Sequence, residues 1–257
     1  MIEKIIVCLI AGAGAGFGTG LAGISAAAVI APMLITFLQV NPYEAVGIAL
    51  ASDVLASAAS AYTYKKNQNL DVKNGLVMLV SVLIFTLLGS YLASFLPQAT
   101  MGGFSMFMTL LMGLKFIVRP VMAARESNKS RSKKKAAVQS AVCGMVVGLI
   151  CGIVGAGGGM MMLLVLVVVL GYEIKTAVGT SVFIMTFTAL TGALSHFAIG
   201  GGITDWSILV MCVLATLIFA MVTARFANKA SEKTMNRMLG FGLLALSLVM
   251  ITVHYFL

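Results

Sequence analysis

The chain has 257 residues, of which 60% are apolar and only 10% are charged. A soluble domain carries about 25% charged residues, so this composition excludes an ordinary soluble enzyme or binding module. Stretches without any Asp, Glu, Lys or Arg cover residues 75–114, 138–170 and 206–224. Since roughly 20 apolar residues cross the hydrocarbon core, the sequence predicts an all-α polytopic integral membrane protein.

The first predicted element is a long apolar segment over residues 5–39 that glycines interrupt. It is too long for one ordinary span, so we expect a helical hairpin, re-entrant or fully spanning, that turns at residues 20–25. Single spans are predicted to follow at about 44–64, 74–96 and 100–118. Together these elements form a first membrane repeat over residues 1–118.

A short basic segment, residues 119–137, joins the two halves of the chain. It carries seven Lys and Arg residues against the single acid Glu126. The positive-inside rule predicts that this linker lies in the cytoplasm, and we expect a multi-pass protein of the inner (plasma) membrane. The net charge of +9 then reflects topology, and nucleic acid is not an expected partner.

The second half, residues 138–257, repeats the order of the first. A glycine-broken apolar segment at 138–170 precedes single spans at about 174–199, 206–226 and 236–256. Residues 20–27 align with residues 152–159, and at the same offset Ala45-Val-Gly47 recurs as Ala177-Val-Gly179.

The distribution of positive charge predicts that the two repeats have inverted topology. In the first half, Lys65, Lys66 and Lys73 flank the connection between the second and third segments. The matching connection of the second half has no Lys or Arg, and the basic cluster moves to Arg225, Lys229, Lys233 and Arg237. Both clusters are cytoplasmic only if the halves face opposite ways. The alternative makes each long segment one kinked span, with parallel halves.

The glycine breaks need a physical reason, because backbone that leaves a helix within hydrocarbon must find partners in protein or water. The helix that restarts after residues 155–159 points its first N–H groups inward, which favours a bound anion. Broken helices that meet at the midplane of inverted repeats are a recurring transporter plan. The alternative is close packing through small residues, which we favour for Gly12, Gly14, Gly16 and Gly18.

Asp53 is the only acidic residue within a predicted span, with Ser52 beside it. An intramembrane ionisable group is costly and is a candidate for carrying a coupling proton, the alternative being a hydrogen-bonded packing role. Thr180 and Ser181 begin the matching helix of the second half. His196, near a helix end, is a second proton-coupling candidate, with an interfacial role as the alternative.

Nothing in the sequence predicts catalysis, a metal or a cofactor. A zinc protease needs HExxH, which is absent, and an aspartyl protease needs two membrane aspartates. The four cysteines lie in apolar segments without CxxC spacing. Without a P-loop, transport would have to be driven by an ion gradient or by the substrate's own gradient. A channel or a non-transporting membrane partner protein is the alternative to a secondary transporter.

The order of these motifs resembles the TauE/SafE family of membrane permeases, also called sulfite exporters. The resemblance rests on Gly20-Leu-Ala-Gly-Ile-Ser and Gly152-Ile-Val-Gly-Ala-Gly-Gly-Gly, each followed by a span that starts Ala-Val-Gly, and on His196 with Gly202-Ile-Thr-Asp205. It covers nearly the whole chain. It implies an inner-membrane permease for a small sulfur-containing anion such as sulfite, thiosulfate, sulfoacetate or another organosulfonate.

The resemblance also implies which residues contact the substrate. They are Gly20, Gly23, Ser25, Gly155, Gly157, Gly158, Gly159, Thr180 and Ser181. The first half departs from the family pattern, since Ser25-Ala26-Ala27 replaces the glycine run. We therefore expect more backbone donors from the second half, and polar contacts from Ser25, Ser52 and Asp53. The expected partners are a small anionic substrate and the lipid bilayer, and a homo-oligomer is compatible with the sequence.

Overall fold

The computed structural model describes residues 2–93, 133–154, 158–199 and 202–231, with isolated residues elsewhere. Every regular element among these residues is helical. Four of the helices are long and apolar enough to cross a membrane. The polytopic α-helical class is confirmed to this extent. The spans predicted at 100–118 and 236–256 lie, apart from isolated residues, outside the described part of the chain.

Four helices are described in each half. Those of the first half are α1 (Ile2–Ala22), α2 (Ala27–Leu38), α3 (Pro42–Lys66) and α4 (Val72–Ala93). Those of the second are α5 (Lys133–Val154), α6 (Gly159–Leu164) with a π-helical continuation (Val165–Val169), α7 (Ile174–Ile199) and α8 (Trp206–Lys229). Helix α5 begins inside the predicted linker, because Lys and Ala are good helix formers and extend the apolar helix.

The first long segment is a broken helix, as predicted. Gly23 ends α1 with a φ of +62°, in the left-handed region that glycine adopts without penalty. The amides of Gly23 and Ile24 close the helix on the carbonyls of Thr19 and Gly18, at 3.0 and 3.2 Å. Helix α2 has only 12 residues, about 18 Å, and is too short to cross the membrane.

One end of the bundle, here called the acidic end, joins α1, α3 and α8. Lys4 pairs with Asp205, and Glu44 accepts hydrogen bonds from the amide and hydroxyl of Thr204 at 2.7 and 2.8 Å. The bonds from Lys4 and Ser207 hold the pKa of the Asp205 carboxyl well below its usual range. Since α1 begins here and α2 ends just before α3 begins here, the first hairpin enters and leaves at this end.

The opposite end, here called the basic end, joins the end of α3 to the start of α7 and the end of α8. Lys175 donates to the Asn228 carbonyl at 2.9 Å, and Asn69 donates to the Asn228 side chain at 2.7 Å. The Tyr172 hydroxyl donates to Asp71 at 2.7 Å. The lysines at this end include Lys65, Lys66, Lys73, Lys175 and Lys229.

Glycines pack α1 against α8. Gly12, Gly16 and Gly20 face residues 215, 216 and 223 of α8 in turn, so the two helices run parallel. A Cβ on any of these glycines would collide with α8. Close packing through small residues is therefore confirmed for Gly12 and Gly16.

The same arrangement packs α5 against α4. Gly144 faces the Met78 carbonyl and Gly148 faces the Val82 carbonyl, so these helices are also parallel. Because α4 begins at the basic end, α5 begins there too. Helix α7 begins at the basic end as well, and the second broken segment therefore enters and leaves at the end opposite to the first.

Helices α3 and α7 cross antiparallel in the centre. Gly47, near the start of α3, faces His196 and Phe197 near the end of α7. Gly179, near the start of α7, faces Tyr64 near the end of α3. Each helix thus runs the full depth of the bundle in the opposite sense, and the middle of each lies in the protein interior.

We expect Gly16→Ala to destabilise the protein by about 1–3 kcal/mol, the usual cost of overpacking. Its Cβ would lie 2.5 Å from the Thr216 carbonyl oxygen and 2.8 Å from the Ala220 amide, so the two helices must separate. Thermal unfolding of the purified protein in detergent measures the loss.

Gly18→Ala is the matched control on the same helix. Its Cβ would lie 3.5 Å from Ile24, an ordinary contact. Alanine favours a helix over glycine by about 1 kcal/mol, so this variant should be at least as stable as the unchanged protein. Equal destabilisation by both substitutions would contradict the packing of α1 on α8.

Candidate functional site

The two glycine breaks meet inside the bundle. A Cβ on Gly159, the first residue of α6, would collide with the carbonyl oxygen of Gly23. A Cβ on Gly23 would in turn collide with the hydroxyl of Ser181 on α7. Such close approach requires residues without side chains. We call the region around this contact the central site, formed by Thr19, Gly23, Ser25, Asp53, Gly159, Ser181 and Met185.

Asp53 of α3 lies in the central site with its side chain fully buried. The Thr19 hydroxyl donates to the Ile24 carbonyl at 2.8 Å and lies 3.4 Å from Oδ1, and the Ser25 hydroxyl and Ala26 amide lie against the carboxylate. Among the described residues, Oδ2 has no hydrogen-bond partner and no Lys or Arg pairs with the group. A buried carboxylate without a cation is costly, so a proton or a ligand at Oδ2 would stabilise it.

The Asp53 carboxylate also faces the start of α2. Ala26 immediately precedes α2, and its amide is directed at the carboxylate. The first amides of a helix lack an intrahelical acceptor and carry the positive end of the helix dipole. In the first half, the place that a bound anion would favour is therefore occupied by the protein's own side chain.

The second break has an uncharged neighbour instead. The sulfur of Met185 on α7 would lie 2.7 Å from a Cβ on Gly159, and Met185 is buried. Met185 follows Asp53 by 132 residues, the same offset that relates Gly155 to Gly23. The two halves thus place different chemistry beside their breaks, a carboxylate in the first and a thioether in the second.

The structure brings five of the predicted contact residues together: Gly23, Ser25, Asp53, Gly159 and Ser181. Gly158 immediately precedes α6 and lies next to this group. Gly155 and Gly157 lie outside the described residues.

Other predicted residues lie away from the contact between the breaks. Gly20 faces Thr223 of α8. Thr180 accepts a hydrogen bond from the Asp71 amide at 3.2 Å, near the basic end. It points away from the central site because adjacent helical residues are about 100° apart around the axis.

Ser52 and His196 do not take part in the contact between the two breaks. Ser52 is buried and donates to the Ile48 carbonyl of its own helix at 2.8 Å. His196 lies beside Gly47, which is about 9 Å along α3 from Asp53.

A polar face of α3 was missed by reading the sequence residue by residue. Asp53, Ser57, Ser60 and Tyr64 recur at helical spacing and are all buried. The Tyr64 hydroxyl donates to the Gly20 carbonyl at 3.0 Å. The spacing of these polar residues was the signal that could have predicted this face.

Contacts across the bundle extend this polar face. Ser57 donates to the backbone carbonyl of Asp53, and the hydroxyl of Thr186 on α7 lies 3.3 Å from the Ser57 hydroxyl. Ser25, on the other side of Asp53, also lines a cavity of about 40 Å³ between α1 and residues Met238 and Gly242. A water needs roughly 10–15 Å³ of such space, so the cavity is large enough to hold water beside the hydroxyl that contacts Asp53.

Broken helices that meet beside a buried polar group, within a bundle of apolar helices, are a recurring plan of membrane transporters. The chain belongs to the sulfite exporter TauE/SafE family, whose profile matches residues 8–250. It is therefore a multi-pass membrane permease with a small-molecule substrate, and not an enzyme.

Two relatives from Bacillus subtilis (strain 168) are similar over most of their length. The chain is 23% identical over 213 residues to "Probable membrane transporter protein YdhB", and the aligned residues make up 83% of this chain and 86% of the relative. It is 23% identical over 251 residues to "Probable membrane transporter protein YunE", and the aligned residues make up 90% of this chain and 91% of that relative. No solved structure matches the chain.

We expect Gly23→Ala to destabilise the protein by about 2–5 kcal/mol, from left-handed backbone strain and overpacking together. Adding Ser181→Ala removes the hydroxyl that the new Cβ would meet, and should recover the overpacking part. The strain at the φ of +62° would remain. A double-mutant cycle of thermal unfolding measures the coupling. Additive effects of the two substitutions would contradict the contact.

Proposed function

We propose that this protein is a secondary transporter for a small anion, of the class of sulfur oxyanions and organosulfonates such as sulfite, thiosulfate or sulfoacetate. The substrate binds at the midplane between the two hairpin tips and moves by alternating access. The observation that carries the proposal is the contact of Gly159 with the Gly23 carbonyl beside the buried Asp53. Membership of the sulfite exporter family supports the chemical class.

Alternating access would come from two inverted repeats, residues 1–118 and 138–257. In support, helices of each half pack on helices of the other half: α1 packs on α8, and α5 packs on α4. The glycines at the two contacts occupy equivalent positions, since Gly144 follows Gly12 and Gly148 follows Gly16 by 132 residues. A half that packs mainly on the other half can rock between two equivalent arrangements, each open to one side.

The two ends of the bundle support the same relation. Asp71 accepts the Asn74 amide at 3.0 Å at the start of α4, and Asp205 accepts the Ser207 amide at 2.9 Å at the start of α8. These two caps lie at opposite ends of the bundle. Equivalent caps at opposite ends are expected when equivalent connections face opposite sides of the membrane.

The anion rests beside the second break, against the amides that open α6 and the hydroxyl of Ser181. This side is favoured because Met185 is uncharged, whereas Asp53 repels an anion while it is ionised. The proposed substrate contacts are Gly23, Ser25, Gly155, Gly157, Gly158, Gly159 and Ser181. Gly20, Ser52 and Thr180 support the site through helix packing.

Asp53 couples a proton to anion movement. When protonated, it is neutral and an anion can approach the second break. When it loses the proton, the charge returns beside the anion and favours its release. The Ser25 hydroxyl and the cavity next to it provide a route for the proton.

The basic end faces the cytoplasm of the inner membrane, together with the linker 119–137. Lys65, Lys66, Lys73, Lys175 and Lys229 are among the lysines at that end, and Lys4 at the other end is paired with Asp205. This asymmetry follows the positive-inside rule.

Met185→Asp tests the location of the anion, because it places a carboxylate beside the second break. We expect saturable thiosulfate binding to weaken about 100-fold, given two like charges about 5 Å apart in a partly polar interior. Isothermal titration with the purified protein measures the binding, with sulfite, sulfate, taurine and sulfoacetate as competitors.

Met185→Asn is the control, since it has a similar shape and no charge. It should keep most of the binding. Equal losses in both variants would indicate packing damage, and normal binding in Met185→Asp would place the anion elsewhere. If none of the anions binds while a cation or neutral solute does, the anion transporter proposal is wrong.

Asp53→Asn tests the coupling. In the unchanged protein, thiosulfate binding should tighten as pH falls, because protonation removes the charge that repels the anion. Thiosulfate itself stays ionised at all the pH values compared, so a change in binding with pH reflects a group on the protein. Asp53→Asn should bind at every pH as the protonated protein does, and should lose accumulation driven by a pH gradient in proteoliposomes.

Glu44→Gln is the control for the coupling test, because Glu44 bonds Thr204 at the acidic end rather than in the central site. It should keep the pH dependence of binding. If Asp53→Asn transports normally with unchanged pH dependence, Asp53 does not carry the proton. Transport that shows counterflow and saturates distinguishes a carrier from a channel.

Cysteine labelling tests the topology in a variant without the four native cysteines. A membrane-impermeant maleimide should label Lys175→Cys and Lys229→Cys in inside-out vesicles, because both lie at the basic end. Trp206→Cys, at the acidic end and 64% exposed, should be labelled in intact cells instead. The reverse labelling would overturn the orientation, and labelling of residues 175 and 229 from opposite sides would overturn the inverted repeat.

A further inference from the structure

A groove of about 420 Å³ lies between α3 and α8 at the basic end, on the outer surface of the bundle. It is separate from the central site and shares no residue with it. Its lining comes from the end of α3, the residue after it, and α8: Ala59, Tyr62, Thr63, Lys66, Asn67, Met221 and Arg225.

The groove is positively charged. Lys66 and Arg225 line it from the two different helices, and its lining has no acidic residue. Within the described part of the chain, neither side chain forms an ion pair. Two cations that converge on one opening without a counter-charge attract an anion, and Arg and Lys are the usual protein donors to phosphate.

The apolar and polar groups of the groove follow the depth of the membrane. Arg225 lies one helical turn beyond Met221, and Lys66 lies one turn beyond Tyr62. The cations are therefore at the membrane surface, and Met221 and Ala59 lie deeper. Tyr62 is 70% exposed, as is typical of an aromatic side chain at the level of lipid headgroups.

We propose that this groove binds an anionic phospholipid. The lipid phosphate lies between Lys66 and Arg225, with the Asn67 side-chain amide as a further hydrogen-bond donor, and an acyl chain lies over Ala59 and Met221. A free oxyanion would use the cations but not the apolar floor. Basic pockets between membrane helices at the cytoplasmic surface favour such headgroups.

A lipid in this position joins the two helices that the central site depends on. Helix α3 carries Asp53, and α8 packs on α1, whose end forms the first break. The bound lipid would stabilise the contact between α3 and α8 and is independent of which substrate the central site takes.

The test is native mass spectrometry of the purified full-length protein in detergent, titrated with phosphatidylglycerol. Lys66→Ala and Arg225→Ala should each weaken binding about fivefold, and the double variant about 30-fold, the effect of one surface charge and of two. The matched control is Lys65→Ala with Lys229→Ala, which removes the same charge at the same end but outside the groove. It should keep nearly all of the binding.

Two further measurements separate the lipid from other sources of the same chemistry. Phosphatidylcholine, with no net charge, should bind weakly, and glycerol 1-phosphate, with no acyl chains, should not displace phosphatidylglycerol. Equal binding loss in the control variant would show general surface attraction and overturn the proposal. Displacement of the lipid by glycerol 1-phosphate would instead assign the groove to a free anion. The same conclusion would follow if the double variant Lys66→Ala with Arg225→Ala lost thiosulfate binding but kept lipid binding.

Discussion

The structure depends on one constraint: within a bilayer there is no water to satisfy a peptide group that leaves a helix. Two helices of this protein end inside the bundle, so their free ends must meet protein. The first break closes on its own carbonyls through Gly23 and directs the Ala26 amide at Asp53. The tip of the second packs directly on the first, through Gly159 and the Gly23 carbonyl. The polar centre of the molecule follows from these two requirements.

The same constraint explains two other polar side chains of the core. Ser52 and Ser181 are buried, yet each bonds a carbonyl of its own helix, so neither leaves a costly group unpaired. Asp53 differs because one of its oxygens has no partner among the described residues. A fully buried carboxylate with an unpartnered oxygen is therefore the group through which we propose that a proton or a ligand changes the balance of states.

The two halves are similar in their helix order but not in their charge. Asp53 and Met185 stand at corresponding positions, and each lies beside the break of its own half. A symmetric pair of carboxylates would repel any anion from both sides, and a symmetric pair of methionines would leave nothing to titrate. One of each leaves an uncharged side for an anion and a titratable side for a proton. This difference supports a coupled transporter with one anion site.

From sequence alone, the membrane class, the broken helices, the family and the burial of Asp53 within a span could be predicted, since composition, span length and the cost of a buried charge are local properties. The role of each small residue could not be. Gly20 and Gly23 belong to one motif, yet Gly20 packs on α8 and Gly23 forms the turn. Thr180 and Ser181 are neighbours, yet only Ser181 faces the break. Only the tertiary structure decides such cases, because the partner is on another helix and its position depends on how the helices cross.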